Sequence, residues 1–256
     1  MDEQSAISAD GLTKRYGDTV AVNDLNLAIP SGSIYGFLGP NGAGKTTTMQ
    51  MLTTLTEPTS GSASINGTPI TDRTAVTRQV GYLPESPPLY YNLTASEQLD
   101  LAGGLRDLSD EQATARIESL LDRLDLCEDA DTRISDYSKG MRQKTAFIQA
   151  ILHEPAVVFL DEPTAGLDPR AARTLREMIV ELADEGTTVF LSTHILPVVE
   201  EVANTVGVLY EGRLVAEGTP NELTHRAETG KHQTLEAAFL DLTSDESIPV
   251  EADEHD

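Results

Sequence analysis

The chain has no tryptophan, five phenylalanines and seven tyrosines in 256 residues, and a single cysteine, Cys127. One thiol excludes an internal disulfide and suits a reducing, cytosolic setting. No apolar run approaches the ~18 residues of a membrane-spanning helix. The first residues, Met1-Asp2-Glu3-Gln4-Ser5, lack the basic-then-apolar layout of a signal peptide, so no such leader is expected. Neither an HExxH pair nor a Cys/His cluster occurs, and no protein-bound zinc is expected. Basic residues are scarce: 18 Lys and Arg stand against 42 Asp and Glu, a formal net charge of −24. Phosphate backbones need a basic face, so no nucleic-acid partner is expected.

Lysine is the rarest charged residue, with five (Lys14, Lys45, Lys139, Lys144, Lys231) against thirteen arginines. In dilute buffer such an acidic excess repels itself and destabilises the compact state. In molar salt the Debye length falls to about 3 Å and most of that repulsion is screened. The composition is similar to that of proteins from salt-accumulating halophiles; the plainer alternative is an ordinary acidic cytosolic protein. The length suffices for a large core in one or two domains.

What is present begins with Gly39-Pro40-Asn41-Gly42-Ala43-Gly44-Lys45-Thr46. Two glycines enclosing four residues, followed by Lys and Thr, make the full P-loop pattern. Glycines let the backbone form a nest of inward-pointing N–H groups that meet phosphate oxygens. Lys45 supplies a charge for the β- and γ-phosphates, and the Thr46 hydroxyl is a Mg²⁺ ligand. Residues 33–38 read as a buried strand entering the loop. Residues 46–55 read as a helix leaving it, with Thr47 in its first turn and its positive end toward the anion.

Strands are expected over residues 6–12, around the alternating Leu25, Leu27 and Ile29, and over 62–67 and 79–83. From about 90 to 150 the period becomes helical. Thr94-Ala95-Ser96-Glu97 and Ser109-Asp110-Glu111-Gln112 are capping boxes, and Ile117, Leu120, Leu121 and Leu124 share a helix face. Val157-Val158-Phe159-Leu160 and Thr188-Val189-Phe190-Leu191 read as buried parallel strands joined by a helix over about 170–185. A hairpin around Glu211-Gly212 and short helices after Pro220 follow. The acidic residues 244–256 read as a disordered, solvated tail.

The apolar strand before Asp161-Glu162 ends in two carboxylates, the Walker B arrangement. Asp161 is placed to hold Mg²⁺, and Glu162 to polarise the attacking water. The next residues, Pro163-Thr164-Ala165-Gly166-Leu167-Asp168-Pro169, resemble the D-loop of ATP-binding cassette (ABC) ATPases. Tyr137-Ser138-Lys139-Gly140-Met141 falls where that family carries its Leu-Ser-Gly-Gly-Gln signature. Tyr137, Lys139 and Met141 depart from it, while Ser138 and Gly140 remain. Ser138 also suits a helix N-cap, and Lys139 adds charge at that helix end. His194 matches the family's switch histidine, which would bond the γ-phosphate and steady the water. Tyr16 matches its adenine-stacking aromatic, with Val22 behind the ring. Glu85 stands at the Q-loop position usually held by Gln, where it would reach Mg²⁺ through water.

The resemblance covers residues 5–242. It implies an α/β P-loop NTPase of the ABC type over 5–230, with an antiparallel β subdomain and a helical subdomain at about 90–150. A C-terminal helix over 231–243 follows. ATP and Mg²⁺ are the implied ligands. Lys45, Glu162 and His194 would be catalytic. Tyr16, Gly39, Pro40, Asn41, Gly42, Ala43, Gly44, Lys45, Thr46, Thr47, Ser138 and Gly140 would bind ATP, and Thr46, Glu85 and Asp161 the metal. The family's head-to-tail homodimer would set Ser138 and Gly140 of one copy against the P-loop of the other.

The Pro-Glu and Tyr-Ser-Lys-Gly-Met variants, with the closing segment from Thr234 to Leu240, resemble the subfamily that serves ABC-2-type export permeases. That implies a cytoplasmic-face subunit of an exporter, whose permease docks near residues 86–93. The alternatives are an importer ATPase, a soluble ABC ATPase and a non-hydrolysing cassette.

Overall fold

A computed structural model describes residues 5–226 and 235–243. The tail at 244–256, Lys231 and Thr234 lie outside the described residues. In chain order the strands and helices begin with β1 (Ser5–Tyr16), β2 (Thr19–Pro30), β3 (Ile34–Leu38), α1 (Lys45–Leu52), β4 (Ser60–Ile65), β5 (Thr68–Pro69), α2 (Arg73–Gln79) and β6 (Val80–Leu83). Three helices follow: α3 (Ala95–Gly104), α4 (Asp110–Arg123) and α5 (Lys139–Ile151). The chain continues through β7 (Val157–Asp161), α6 (Pro169–Asp184), β8 (Thr188–Thr193) and α7 (Leu196–Val202). It closes with β9 (Thr205–Tyr210), β10 (Arg213–Gly218), α8 (Pro220–Arg226) and α9 (Leu235–Leu242).

Two sheets organise the molecule. A four-stranded antiparallel sheet runs β2-β1-β4-β5, and a six-stranded sheet runs β10-β9-β3-β8-β7-β6. Within the latter, β9, β3, β8, β7 and β6 are parallel to their neighbours, and β10 pairs antiparallel to β9. Every residue of β3, β7 and β8 is buried, as expected of parallel strands covered on both faces. Alternation divides β7 between two cores. Val157 and Phe159 join Tyr35, Phe37 and Phe190 beneath the antiparallel sheet. Val158 and Leu160 join Val189, Leu191 and the helices.

Both capping boxes form. Thr94 Oγ1 accepts from Glu97 N at 3.2 Å, and Glu97 Oε2 accepts from Thr94 N at 2.9 Å. Ser109 and Gln112 exchange the same pair at 3.3 Å each. Each cap is worth about 1 kcal/mol. Ile117, Leu120 and Leu121 of α4 are buried, and each contributes about 1.5–3 kcal/mol. Gly81 lets β6 approach α5 closely, since a Cβ there would lie 2.0 Å from the Ala150 carbonyl oxygen.

Several boundaries differ from expectation. Strand β1 continues past residue 12 to Tyr16, because register shifts about Gly11 (φ 59°) break its alternation without ending its pairing with β2. Helix α1 stops at Leu52 rather than 55. Thr53 Oγ1 bonds the Met49 carbonyl at 2.7 Å, and Thr54 turns into the left-handed region at φ 63°. The seven-residue helices α2 and α7 carry too short a pattern to be predicted.

Candidate nucleotide-binding site

The loop from Gly39 to Gly44 leaves β3 and enters α1. Gly44 is irreplaceable on two counts: its φ is 107°, and a Cβ would stand 2.3 Å from the Ala21 carbonyl oxygen. Lys45 is buried and folds back over the loop, donating from Nζ to the carbonyls of Gly39 at 2.6 Å and Pro40 at 3.1 Å. Burial draws its pKa below the ordinary lysine range, while Glu162, Asp161 and Glu85 pull it upward. Ala43 is buried and ties the loop to the β9–β10 turn, where Gly212 N donates to its carbonyl at 2.9 Å.

Parallel register sets Asp161 of β7 beside Ser192 of β8, whose hydroxyl donates to Asp161 Oδ1. Asp161 Oδ2 accepts from Thr46 Oγ1 at 2.8 Å. Glu162 follows in the left-handed region at φ 50° and is buried. Its carboxylate accepts from Thr193 Oγ1 at 2.9 Å and from His194 N at 2.9 Å. Nδ1 of His194 lies 2.7 Å from Glu162 Oε1, while the ring itself is largely exposed.

These groups surround a cavity of about 380 Å³. Asn41, Gly42, Gly44, Lys45, Thr46 and Thr47 line it from the P-loop side. Glu85, Asp161, Glu162 and His194 line it opposite. The donors nearest Thr46 are hard oxygens, which suit Mg²⁺. Among the described residues no cluster of three or more His, Cys, Asp or Glu is built to hold a metal alone. A hydroxyl and one carboxylate, completed by phosphate oxygens and water, is the arrangement that Mg²⁺ takes with nucleotides. The residues therefore fit that ion.

Tyr16 does not line this cavity. It sits half-exposed at the β1–β2 turn, with Lys14 Nζ 5.1 Å from its ring centroid. Lys14 is anchored in turn by the Glu57 carbonyl at 2.6 Å. Ala21 of β2 reaches the cavity rim, and Val22 is buried against Gly44. Ser138 and Gly140 also stand outside the cavity lining. Ser138 caps α5 by accepting from Met141 N at 3.2 Å. Gly140 lies against Gly166, where the Lys139 stem crosses. Tyr137 is buried and donates to the Asp129 carbonyl at 2.7 Å. Burial, with Asp129 and Asp131 nearby, pushes its phenol up to about 12.

Sequence reasoning missed Ser192, Thr193 and Gln143. The two hydroxyls orient the carboxylates, and Gln143 Nε2 donates to the Glu162 and Pro163 carbonyls at 3.4 and 3.3 Å. The available signal was polar side chains on otherwise apolar faces: Ser-Thr at the end of a buried strand, and Gln143 on the side of α5 that buries Phe147 and Ile151.

A parallel sheet whose glycine loop, lysine and strand-end carboxylates surround one cavity defines a P-loop nucleoside triphosphatase. The family model "ABC transporter" matches residues 22–165. The daunorubicin resistance ATP-binding protein DrrA3 of Streptomyces coeruleorubidus is 40% identical, over 88% of this chain and 71% of its own length. The bacitracin transport ATP-binding protein BcrA of Enterococcus faecalis is also 40% identical, over 88% and 73%. A solved ATP-binding subunit of an ABC transporter superposes with TM-score 0.87 at 33% identity, covering 94% of this chain and all of that one. A dimeric bacterial ABC transporter cassette superposes with TM-score 0.78 at 26% identity, covering 83% and 98%. The chain belongs to the ABC transporter family and is one of its ATP-binding, ATP-hydrolysing cassettes. The α/β P-loop fold with antiparallel sheet and helical block is the one observed.

Proposed function

We propose that this chain is the ATPase subunit of an exporter, driving a separately encoded ABC-2-type permease from the cytoplasmic face of the membrane. The observation that carries it is a half-built site. Lys45, Thr46, Asp161, Glu162 and His194 share one cavity, while Ser138 and Gly140 present a capped helix start outside it. A second copy, arranged head to tail, supplies that helix start to the γ-phosphate, and symmetry makes two sites. The relatives named for daunorubicin resistance and bacitracin transport support the export direction. Among the described residues no helix is long and apolar enough to cross a membrane, so the substrate pathway is assigned to the permease.

In this scheme Lys45 exchanges the Gly39 and Pro40 carbonyls for β- and γ-phosphate oxygens. Thr46 and Asp161, with Glu85 through water, hold Mg²⁺, which neutralises phosphate charge when bound. Tyr16 stacks on adenine, worth about 1–3 kcal/mol. Glu162 accepts a proton from the attacking water as the water oxygen bonds the γ-phosphorus and the bond to the ADP oxygen breaks. His194 keeps the water and the Glu162 carboxylate aligned. Loss of the γ-phosphate removes the bridge between copies, and the population shifts to the open dimer.

Residues 90–150 act as the helical subdomain that carries the signature, and α9 (Leu235–Leu242) as the C-terminal helix. The surface is adapted to concentrated salt, in keeping with the net charge of −24. Affinity capture from membranes of the source cells tests the assignment. A multi-span permease retained with the chain is expected. Capture of no multi-span protein replaces this function with a soluble ABC ATPase.

A further inference from the structure

Tyr16 closes β1 and pairs with Thr19 across the Gly17-Asp18 turn. Its ring is 49% exposed. A half-exposed ring at a hairpin end has rotamers to choose from, and a base that stacks on it must first order it. Here a cation stands against the ring. Lys14 Nζ lies 5.1 Å from the ring centroid, within the ~6 Å at which an aromatic face attracts an ammonium. The chain holds 42 acidic residues, yet among the described residues no carboxylate pairs with Lys14. Its Nζ donates instead to the Glu57 backbone carbonyl at 2.6 Å. A neutral carbonyl fixes the ammonium without cancelling its charge, so the full charge acts on the ring.

The anchor is held firmly. Glu57 lies between α1 and β4, in the segment that follows the helix leaving the P-loop. That segment is tied to β1 on both sides of Lys14: Thr59 N donates to the Thr13 carbonyl at 2.8 Å, and Arg15 N donates to Thr59 Oγ1 at 3.0 Å. Lys14 also stands opposite Val22 in the β1–β2 register, and Val22 Cγ2 would lie 3.3 Å from a Cβ on Gly44. Residues opposite each other in an antiparallel pair share a face, so Lys14 rises from the face of the hairpin that meets the P-loop. Lys14 is not part of the cavity lining around the phosphate-binding residues.

We propose that Lys14 is the positioning residue for the nucleotide base: its anchored ammonium holds one face of the Tyr16 ring and leaves the other face to stack on adenine. The inference rests on the stacking role given to Tyr16 above and adds what orients the ring. A ring ordered before the nucleotide arrives loses less freedom on binding. The cation also draws on the π electrons of the ring, which makes the free face less repulsive to the electron-rich purine. Both effects act on the base and neither on the triphosphate.

The test measures binding of Mg-ADP and of Mg-pyrophosphate, which lacks the base, to the full chain by titration calorimetry. Lys14→Met keeps the stem and removes the charge. It is expected to raise the Kd for ADP about two- to fivefold and to leave that for pyrophosphate unchanged. In ATP hydrolysis the KM should rise by the same factor at constant kcat. Lys14→Arg keeps a cation over the ring and is expected to restore ADP binding. Tyr16→Ala is expected to weaken ADP about fivefold or more, and Lys14→Met added to it should change nothing further. Melting curves check the fold; if Lys14→Met does not fold, Lys14→Gln, neutral but still a donor, carries the test. The chain has no tryptophan, so Tyr16→Trp gives a single reporter whose fluorescence should respond to ADP and not to pyrophosphate. Equal losses for ADP and pyrophosphate in Lys14→Met make Lys14 a general attractor of phosphate and overturn the proposal. Wild-type ADP binding by Lys14→Met, or a further loss on top of Tyr16→Ala, overturns it too, while the weakness of Tyr16→Ala itself keeps the stacking role. Wild-type ADP binding by Tyr16→Ala overturns both.

Discussion

Replacing Glu162 with Gln is expected to separate ATP binding from ATP cleavage. The backbone at this position is left-handed, φ 50°, and Gln tolerates it no worse than Glu. The carboxylate accepts three hydrogen bonds: two reach Oε1 from His194, through N and Nδ1, and one reaches Oε2 from Thr193. A neutral amide weakens the pair on Oε1 by about 1 kcal/mol each. Relief of the desolvation cost of a buried charge offsets most of that loss. The net change should stay within about 1 kcal/mol, so melting should move by no more than about 4 °C. Turnover should fall by about 10²–10⁴, the contribution of a general base, which corresponds to about 3–5 kcal/mol of barrier. Lys45, Thr46 and the glycine loop are untouched, so ATP should still bind and the proposed closed dimer should accumulate. Phosphate release at saturating Mg-ATP gives the rate, and light scattering gives the dimer. Turnover within about threefold of wild type, with the fold intact, would show that Glu162 is not the base.

Two further outcomes follow from the charges. Burial, with the charges of Arg106 and Arg116 adding to it, lowers the pKa of His153 to about 4 from 6.5. The folded state therefore resists its protonation: its stabilising effect is complete above about pH 6.5 and is lost as pH falls toward 4. After allowance for partial exposure this amounts to about 1–2 kcal/mol at pH 5, and the His153→Gln variant should lose that part of the pH dependence; an equal loss of unfolding free energy between pH 7 and 5 in wild type and variant, from urea titrations at each pH, would rule it out. Raising KCl from about 0.2 M to about 3 M should raise the melting temperature as screening removes the self-repulsion of a −24 chain; a flat curve above ordinary salt would return the protein to the ordinary acidic class.

The parts of the fold legible in the sequence are those whose physics is local. The P-loop reads directly because its glycines, lysine and hydroxyl all fall within one short stretch, Gly39 to Thr46. Strands β7 and β8 read directly because burial on both faces demands unbroken apolar runs. Helices α3 and α4 announce themselves through reciprocal caps. Where the determinant is not local, the pattern is silent. The bulged register about Gly11 hides the second half of β1. The hydroxyls of Ser192 and Thr193 acquire meaning only when parallel pairing brings β8 beside the end of β7. The bond between Glu162 and His194 spans 32 positions for the same reason.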